Sequence, residues 1–240
     1  MLFALTGHRD WVNSCAIDVS GGIVASVSND RTLRLWDLRT RSRKLALFAH
    51  DHWVNSCAFS PDGRFVVTAA GDGSILRWSL GFDESVWELW ITGVKRLPAD
   101  VAERALQPLA LEGHEWSVNQ CAFAPDGAFM VSASSDGRLF LWDVSRGEQL
   151  GALVGHAAEV NGCDVSPDSS LVASVSSDGA VKIWDARNAS CLTTLHVDGS
   201  LSSCTFAQGG KAVVAVGDMG VYFLDLAGFA SGAARINVKV

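Results

Sequence analysis

The sequence predicts an all-β protein built from five similar four-stranded antiparallel sheets. Three observations carry this expectation. A spacing of 42 residues recurs: it separates His8 from His50 and His114 from His156, and likewise Trp36 from Trp78 and Trp142 from Trp184. A cysteine stands seven residues after each of those histidines, at Cys15, Cys57, Cys121 and Cys163. Between these landmarks lie short β-compatible runs punctuated by Pro-Asp and Asp-Gly turn sequences. A repeat of this length signals stacked supersecondary units.

The first unit runs from Gly7-His8 to Trp36-Asp37, and the second from Ala49-His50 to Trp78-Ser79. The next histidine comes 64 residues later, so 22 extra residues are inserted, at about 81–107. Within that insertion Val86 to Ile91 reads as an extra strand and Pro98 to Leu106 as a helix, with Pro98 at its first turn. The third and fourth units run from Gly113-His114 to Trp142-Asp143 and from Gly155-His156 to Trp184-Asp185. A fifth, degenerate unit carries His196, Cys204, Asp218 and Leu224-Asp225, and a tail follows at about 227–240.

Inside one unit the elements follow from local chemistry. In the fourth, Glu159 to Ser166 is a first strand, and Pro167 to Ser170 is a turn. Leu171 to Ser176 alternates as a second strand, and Ser177-Asp178-Gly179 supplies a tight turn with glycine suited to positive φ. Ala180 to Asp185 and Cys191 to Leu195 are the third and fourth strands. A sheet this small cannot bury both faces alone, so neighbouring copies must stack, and radial stacking closes them into a ring.

Composition excludes several functions. A chain of 240 residues, 48% hydrophobic, buries a full core and is not disordered. A net charge of −7 with no basic stripe argues against nucleic acid as a partner. No apolar run reaches membrane-spanning length, and Met1 to His8 lacks the pattern of a secretory signal, which leads us to expect no membrane association and a cytoplasmic location. Five of the six cysteines recur at equivalent positions within apolar strands. That pattern reads as buried free thiols and not disulfides. No Cys-x2-Cys pair, phosphate-binding loop or Gly-x-Ser-x-Gly elbow is present, so neither a metal nor another cofactor is expected.

Gly-His, Ser60-Pro61-Asp62-Gly63, Ser-Asp-Gly and Trp-Asp, repeated at this period, resemble the WD40 repeat across roughly residues 1–226. The resemblance implies a single WD40 β-propeller domain over 1–240. It also implies structural His-Ser-Asp-Trp tetrads. Carried over by position, these are His8, Ser28, Asp30 and Trp36, then His114, Ser134, Asp136 and Trp142, then His156, Ser176, Asp178 and Trp184. The second unit offers His50, Asp72 and Trp78, with Ala70 where serine is expected. In the fifth unit Val216 and Leu224 depart from the pattern and His196 is displaced by one residue. Ser, His and Asp together mimic a hydrolase triad. Repetition around a ring and mutual hydrogen bonding favour a structural role and a chain that is not an enzyme.

In that family a terminal strand often completes the last sheet. Leu2 to Leu5 matches the residues before the later histidines and is the preferred closing strand, with Arg235 to Val240 as the rival. The family also binds partners on its top face. The corresponding residues are Trp11, Asn13 and Asn29, then Trp53, Asn55 and Gly71, then Trp116, Ser117, Asn119 and Ser135, and finally Glu159, Asn161 and Ser177. The expected function is a non-catalytic scaffold that binds a peptide or a protein domain. The alternatives are an assembly or homo-oligomerisation element, a sensor domain fused within a larger signalling protein and, less favoured, an enzyme or small-molecule binder using the central channel.

Overall fold

The computed structural model describes residues 3–80, 107–226 and the strand at 238–239. The expected insertion elements at 86–91 and 98–106, Leu2, and the rest of the 227–240 tail lie outside the described residues.

Among the described residues there are five four-stranded antiparallel sheets. Sheet I contains β1 (Val12–Ile17), β2 (Ile23–Ser28), β3 (Thr32–Asp37) and β4 (Ser42–Phe48), paired in that order. Sheet II contains β5 (Val54–Phe59), β6 (Phe65–Ala70), β7 (Ile75–Ser79) and β8 (Leu109–Leu111). Sheet III contains β9 (Val118–Phe123), β10 (Met130–Ser134), β11 (Arg138–Asp143) and β12 (Glu148–Val154). Sheet IV contains β13 (Val160–Val165), β14 (Leu171–Ser176), β15 (Ala180–Asp185) and β16 (Ser190–His196). Sheet V contains β17 (Leu201–Ala207), β18 (Ala212–Gly217), β19 (Gly220–Asp225) and β20 (Val238–Lys239).

The repeat reading therefore gives the right sheets, in the right number, with strand ends within one or two residues. It places the closing strand wrongly. The fourth strand of sheet V comes from the C-terminal tail, where Leu224 pairs with Val238 and Phe223 with Lys239. Phe3 to Thr6 form no strand. The sequence match of Leu2–Leu5 to the other fourth strands is real, but pairing needs an open edge. In this structure the β19 edge is taken by β20.

Turn chemistry sets each hairpin. Between second and third strands, Gly73, Gly137 and Gly179 adopt φ of +87°, +80° and +75°, while Arg31 holds the same corner in sheet I at +66°. In the Ser60-Pro61-Asp62-Gly63 turn, the Ser60 hydroxyl donates to Asp62 at 2.6 Å and accepts the Phe65 N–H at 2.9 Å.

Backbone packing divides the chain into two compact units, Met1–Glu112 and Gly113–Val240. In the first, sheets I and II stack through Ala25, Val27, Leu33 and Leu35 against Val54, Cys57, Val66 and Trp78. In the second, sheet III stacks on sheet IV through Val131, Ala133, Leu139 and Leu141 against Val160, Cys163, Val172 and Trp184. Sheet IV stacks on sheet V through Ala173, Val175, Val181 and Ile183 against Leu201, Cys204, Val213 and Ala215. Apolar burial between faces stabilises these stacks by roughly 25 cal/mol per Å². One rule serves all three stacks, because each unit carries the same alternation of inward residues.

Candidate functional site

The polar quartets form, but with the serine two residues earlier on the second strand than expected. In sheet I, His8 Nε2 lies 2.8 Å from the Ser26 hydroxyl, Trp36 Nε1 donates to that hydroxyl at 2.8 Å, and His8 Nδ1 lies 2.9 Å from Asp30. Sheet III repeats this with His114, Ser132, Trp142 and Asp136, and sheet IV with His156, Ser174, Trp184 and Asp178. The expected serines Ser28, Ser134 and Ser176 are corrected to Ser26, Ser132 and Ser174. Residues i and i+2 of a strand share a face, so the sequence pattern admits either. Register decides: the rung of β2 beside Trp36 is Val24, which brings Ser26 within reach of the indole N–H. Ser28, at the strand end, instead donates to the Asp10 carbonyl at 3.2 Å and accepts the Asp30 N–H at 3.0 Å. Ser134 and Ser176 make the same turn bonds.

Sheet II is complete by a different route. Ala70 is not a gap, because Thr68 supplies the hydroxyl. It accepts from Trp78 at 3.0 Å and lies 2.7 Å from His50 Nε2. His50 Nδ1 does not reach Asp72 directly. It lies 2.6 Å from the Ser74 hydroxyl, which donates to Asp72 at 2.5 Å. Sheet V carries no such quartet. By register Ala215 and Leu224 stand where the hydroxyl and indole would be, and His196 ends β16, paired with Ala180.

One proton arrangement satisfies every member of a quartet. The indole N–H donates to the hydroxyl, the hydroxyl donates to His Nε2, and His Nδ1–H donates to the carboxylate or, in sheet II, to Ser74. Burial lowers the pKa of His114 and His156, and that of His50 to about 4, which keeps these rings neutral. Burial pushes the Asp30 carboxyl up, but hydrogen bonds from Thr32, the Arg9 N–H and His8 outweigh it and hold the group well below the usual carboxylate range. Asp178 is lowered in the same way, by the N–H groups of Ala157 and Ala180 and by His156. Each candidate nucleophile is fully or nearly fully buried and already accepts an indole N–H. The quartets bind the loops before each first strand to the sheets behind them.

Those loops present the expected contact residues. In the first unit Trp11 and Trp53 are 79% and 53% exposed, each with its carbonyl accepting an N–H from the β2–β3 or β6–β7 turn, at Asn29 and Gly71 respectively. His52 packs on Trp53 with ring centroids 4.8 Å apart. In the second unit Trp116 is 62% exposed and borders an open pocket of about 370 Å³ that also takes in Glu115, Ser135, Arg138, His156 and Glu159. Ser117 and Glu159 hold the backbone positions matching Trp11, with carbonyls accepting from Ser135 and Ser177.

The asparagines have a role that sequence reasoning missed. Each sits at a β-bulge where the first strand slips register against the second, at Asn13, Asn55, Asn119 and Asn161. A bulge re-aims the side chain sideways. Asn13 Nδ2 donates to the Val54 carbonyl at 2.9 Å, Asn119 to Val160 at 2.9 Å and Asn161 to Leu201 at 2.7 Å, each on the first strand of the next sheet. The same amides also bond Asn29, Ser135 and Ser177. The signal was the Val-Asn pair opening four first strands, which alternation alone does not explain.

All six cysteines are free. Cys57, Cys121, Cys163 and Cys204 are buried, and burial pushes the Cys57 thiol up to about 12. Cys15 and Cys191 are exposed. Among the described residues no cluster of three His, Cys, Asp or Glu side chains is arranged to hold a metal ion, and no helix is long and apolar enough to cross a membrane.

Comparison with known proteins agrees with this geometry. The family model described as WD domain, G-beta repeat matches residues 1–37, 42–79, 107–143 and 147–185. The chain belongs to the WD40 family. The four matches end with the third strands of sheets I to IV, the last three each beginning with the fourth strand of the sheet before, and sheet V lies outside them. The WD40 chain is 28% identical over 153 residues to a guanine nucleotide-binding protein subunit beta of Oryza sativa subsp. indica, covering 61% of this chain and 35% of that protein. It is 52% identical over 40 residues to a protein of Emericella nidulans named as probable E3 ubiquitin ligase complex SCF subunit sconB, covering 17% and 6%. It is 42% identical over 43 residues to Lissencephaly-1 homolog 1 of Paramecium tetraurelia, covering 18% and 11%. The matched region thus spans about a third or less of these relatives.

Proposed function

We propose that this WD40 chain is a non-catalytic platform that holds a peptide or partner domain at the histidine-loop ends of its sheets. The observation that carries the reading is the exposure of Trp11, Trp53 and Trp116 on loops pinned by buried quartets. An exposed indole on a pinned backbone loses little conformational freedom on binding, which is the profile of an interface anchor. The naming of relatives as subunits of G-protein and SCF complexes supports a protein as the partner. The six free thiols support a reducing, cytoplasmic setting.

Affinity capture with the parent chain and with Trp11→Ala/Trp53→Ala and Trp116→Ala proteins of unchanged melting midpoint tests the reading. Loss of captured partners from the variants is expected. Equal recovery from all three proteins would remove the tryptophans from the binding surface.

A further inference from the structure

Sheets III and IV, both inside the second compact unit, leave an open cleft of about 370 Å³ between the loop before β9 and the loop before β13. Glu115, Trp116, Gly137 and Arg138 line it from the sheet III side, and Ala157, Ala158 and Glu159 from the sheet IV side. Its room follows from small residues. Gly137 stands where the pair of sheets I and II has Arg31, and Ala157-Ala158 stand where that pair has Asp51-His52. A Cβ on Gly137 would lie 3.4 Å from the Ala158 carbonyl, so a longer side chain there would crowd the opposite loop. The side chains of Glu115, Glu159 and Arg138 are exposed and make no hydrogen bond or ion pair among the described residues. Asp136 also borders the cleft, but its carboxylate is taken up by His114 and by the N–H groups of Glu115 and Arg138. His156 is likewise committed, to Asp178 and Ser174. The lining therefore carries three carboxylates against one guanidinium, with Trp116 as its largest apolar surface. Asp198 and Asp218, both exposed, add negative charge at the same end of this unit.

We infer that this cleft receives a cationic side chain, arginine or lysine, from a basic segment of the partner, with the Trp116 indole against the cation and Glu115 and Glu159 pairing with it. The inference rests on the platform reading above and names the chemistry of its ligand. An aromatic face and a free carboxylate are the two groups that favour a cation at a partly solvated site. An acidic segment fits poorly, because one guanidinium would have to offset three carboxylates at close range. The two free carboxylates come from loops on different sheets, each pinned by its own quartet through His114 and Asp136 or His156 and Asp178. The incoming cation thus meets groups whose backbone is already in place, and little order is lost on binding.

Fluorescence anisotropy of a labelled octapeptide alternating glycine and arginine, titrated with the purified chain, tests this. Octapeptides alternating glycine with glutamate and glycine with serine serve as comparisons. The arginine peptide should bind and the other two should not. Glu159→Gln and Trp116→Ala, both at exposed positions, should each weaken its binding by about threefold or more, and Arg138→Gln should tighten it about twofold. Glu148→Gln removes the same charge from an exposed residue of β12 outside the cleft and should leave binding unchanged, which separates the cleft from the overall charge of −7. No binding of the arginine peptide overturns the proposal, and so does an equal effect of Glu159→Gln and Glu148→Gln. Preference for the glutamate peptide, abolished by Arg138→Gln, overturns it in favour of an acidic segment. Any of these failures alongside tryptophan-dependent partner capture removes the basic ligand and leaves the platform standing.

Discussion

Asn161 reaches across from sheet IV to sheet V and donates to the Leu201 carbonyl at 2.7 Å. The bond joins the bulge of one first strand to the opening residue of the next, and it recurs from Asn13 to Val54 and from Asn119 to Val160. These bonds fix the axial register of neighbouring sheets, which apolar faces alone leave free to slide.

Replacing Asn161 with Ala leaves the Leu201 carbonyl without this donor. A loss of about 1–2 kcal/mol in unfolding free energy is expected, measured by urea denaturation. An unchanged midpoint would show that the cross-sheet bond contributes nothing net.

The two serines at the end of β14 separate the quartet from the turn. Ser174→Ala strands the Trp184 N–H and the His156 Nε2 in the interior and should cost about 1–3 kcal/mol. Ser176→Ala removes the bonds to the Ala158 carbonyl and from the Asp178 N–H at the turn but leaves the indole and imidazole paired, and should cost less, about 0.5–1.5 kcal/mol. Thermal melts of the two variants check the order. A reversed order would return Ser176 to the quartet.

Stability should fall on acidification, first through histidine and then through carboxylate. His50 has a folded pKa of about 4 against 6.5 for an ordinary histidine. The unfolded chain therefore takes up a proton between those values while the folded chain does not. The stabilisation is complete above 6.5 and is lost as pH falls toward 4, by on the order of 3 kcal/mol for this ring. The lowered carboxyls of Asp30, Asp72 and Asp178 remove further stability below the ordinary carboxylate range. Denaturation followed between pH 8 and pH 4 should show a decline that His50→Gln reduces.

Gly179 holds the β14–β15 turn at φ +75°, and a Cβ there would lie 2.7 Å from the Val197 carbonyl. Gly179→Ala should destabilise by at least ~1 kcal/mol, from left-handed strain with the added collision. Arg31 occupies the matching corner at φ +66°. Arg31→Gly should be tolerated, with a change within about 0.5 kcal/mol.

The number of sheets, all their strands but the last, and the loops bearing the tryptophans were legible in the amino-acid sequence, as was the burial of four of the five recurring thiols, Cys15 being exposed against expectation. Each depends on contacts between residues a few positions apart, repeated at a fixed period, so one reading serves five times. The choice between Ser26 and Ser28 was not legible, because residues two apart on a strand share a face and only the rung opposite Trp36 separates them. The relay through Thr68 and Ser74 in sheet II was hidden for the same reason. The bulged asparagines looked like free polar residues, because their partners lie 40 or 41 positions away on another sheet. The identity of the strand beside β19 also waited on tertiary structure. Pairing at an edge is set by which segment occupies it, and residues 2–5 and 235–240 carry equally strand-like patterns. Local periodicity thus determined the parts. Register and edge occupancy, which are long-range and nearly degenerate in sequence, were decided only by packing.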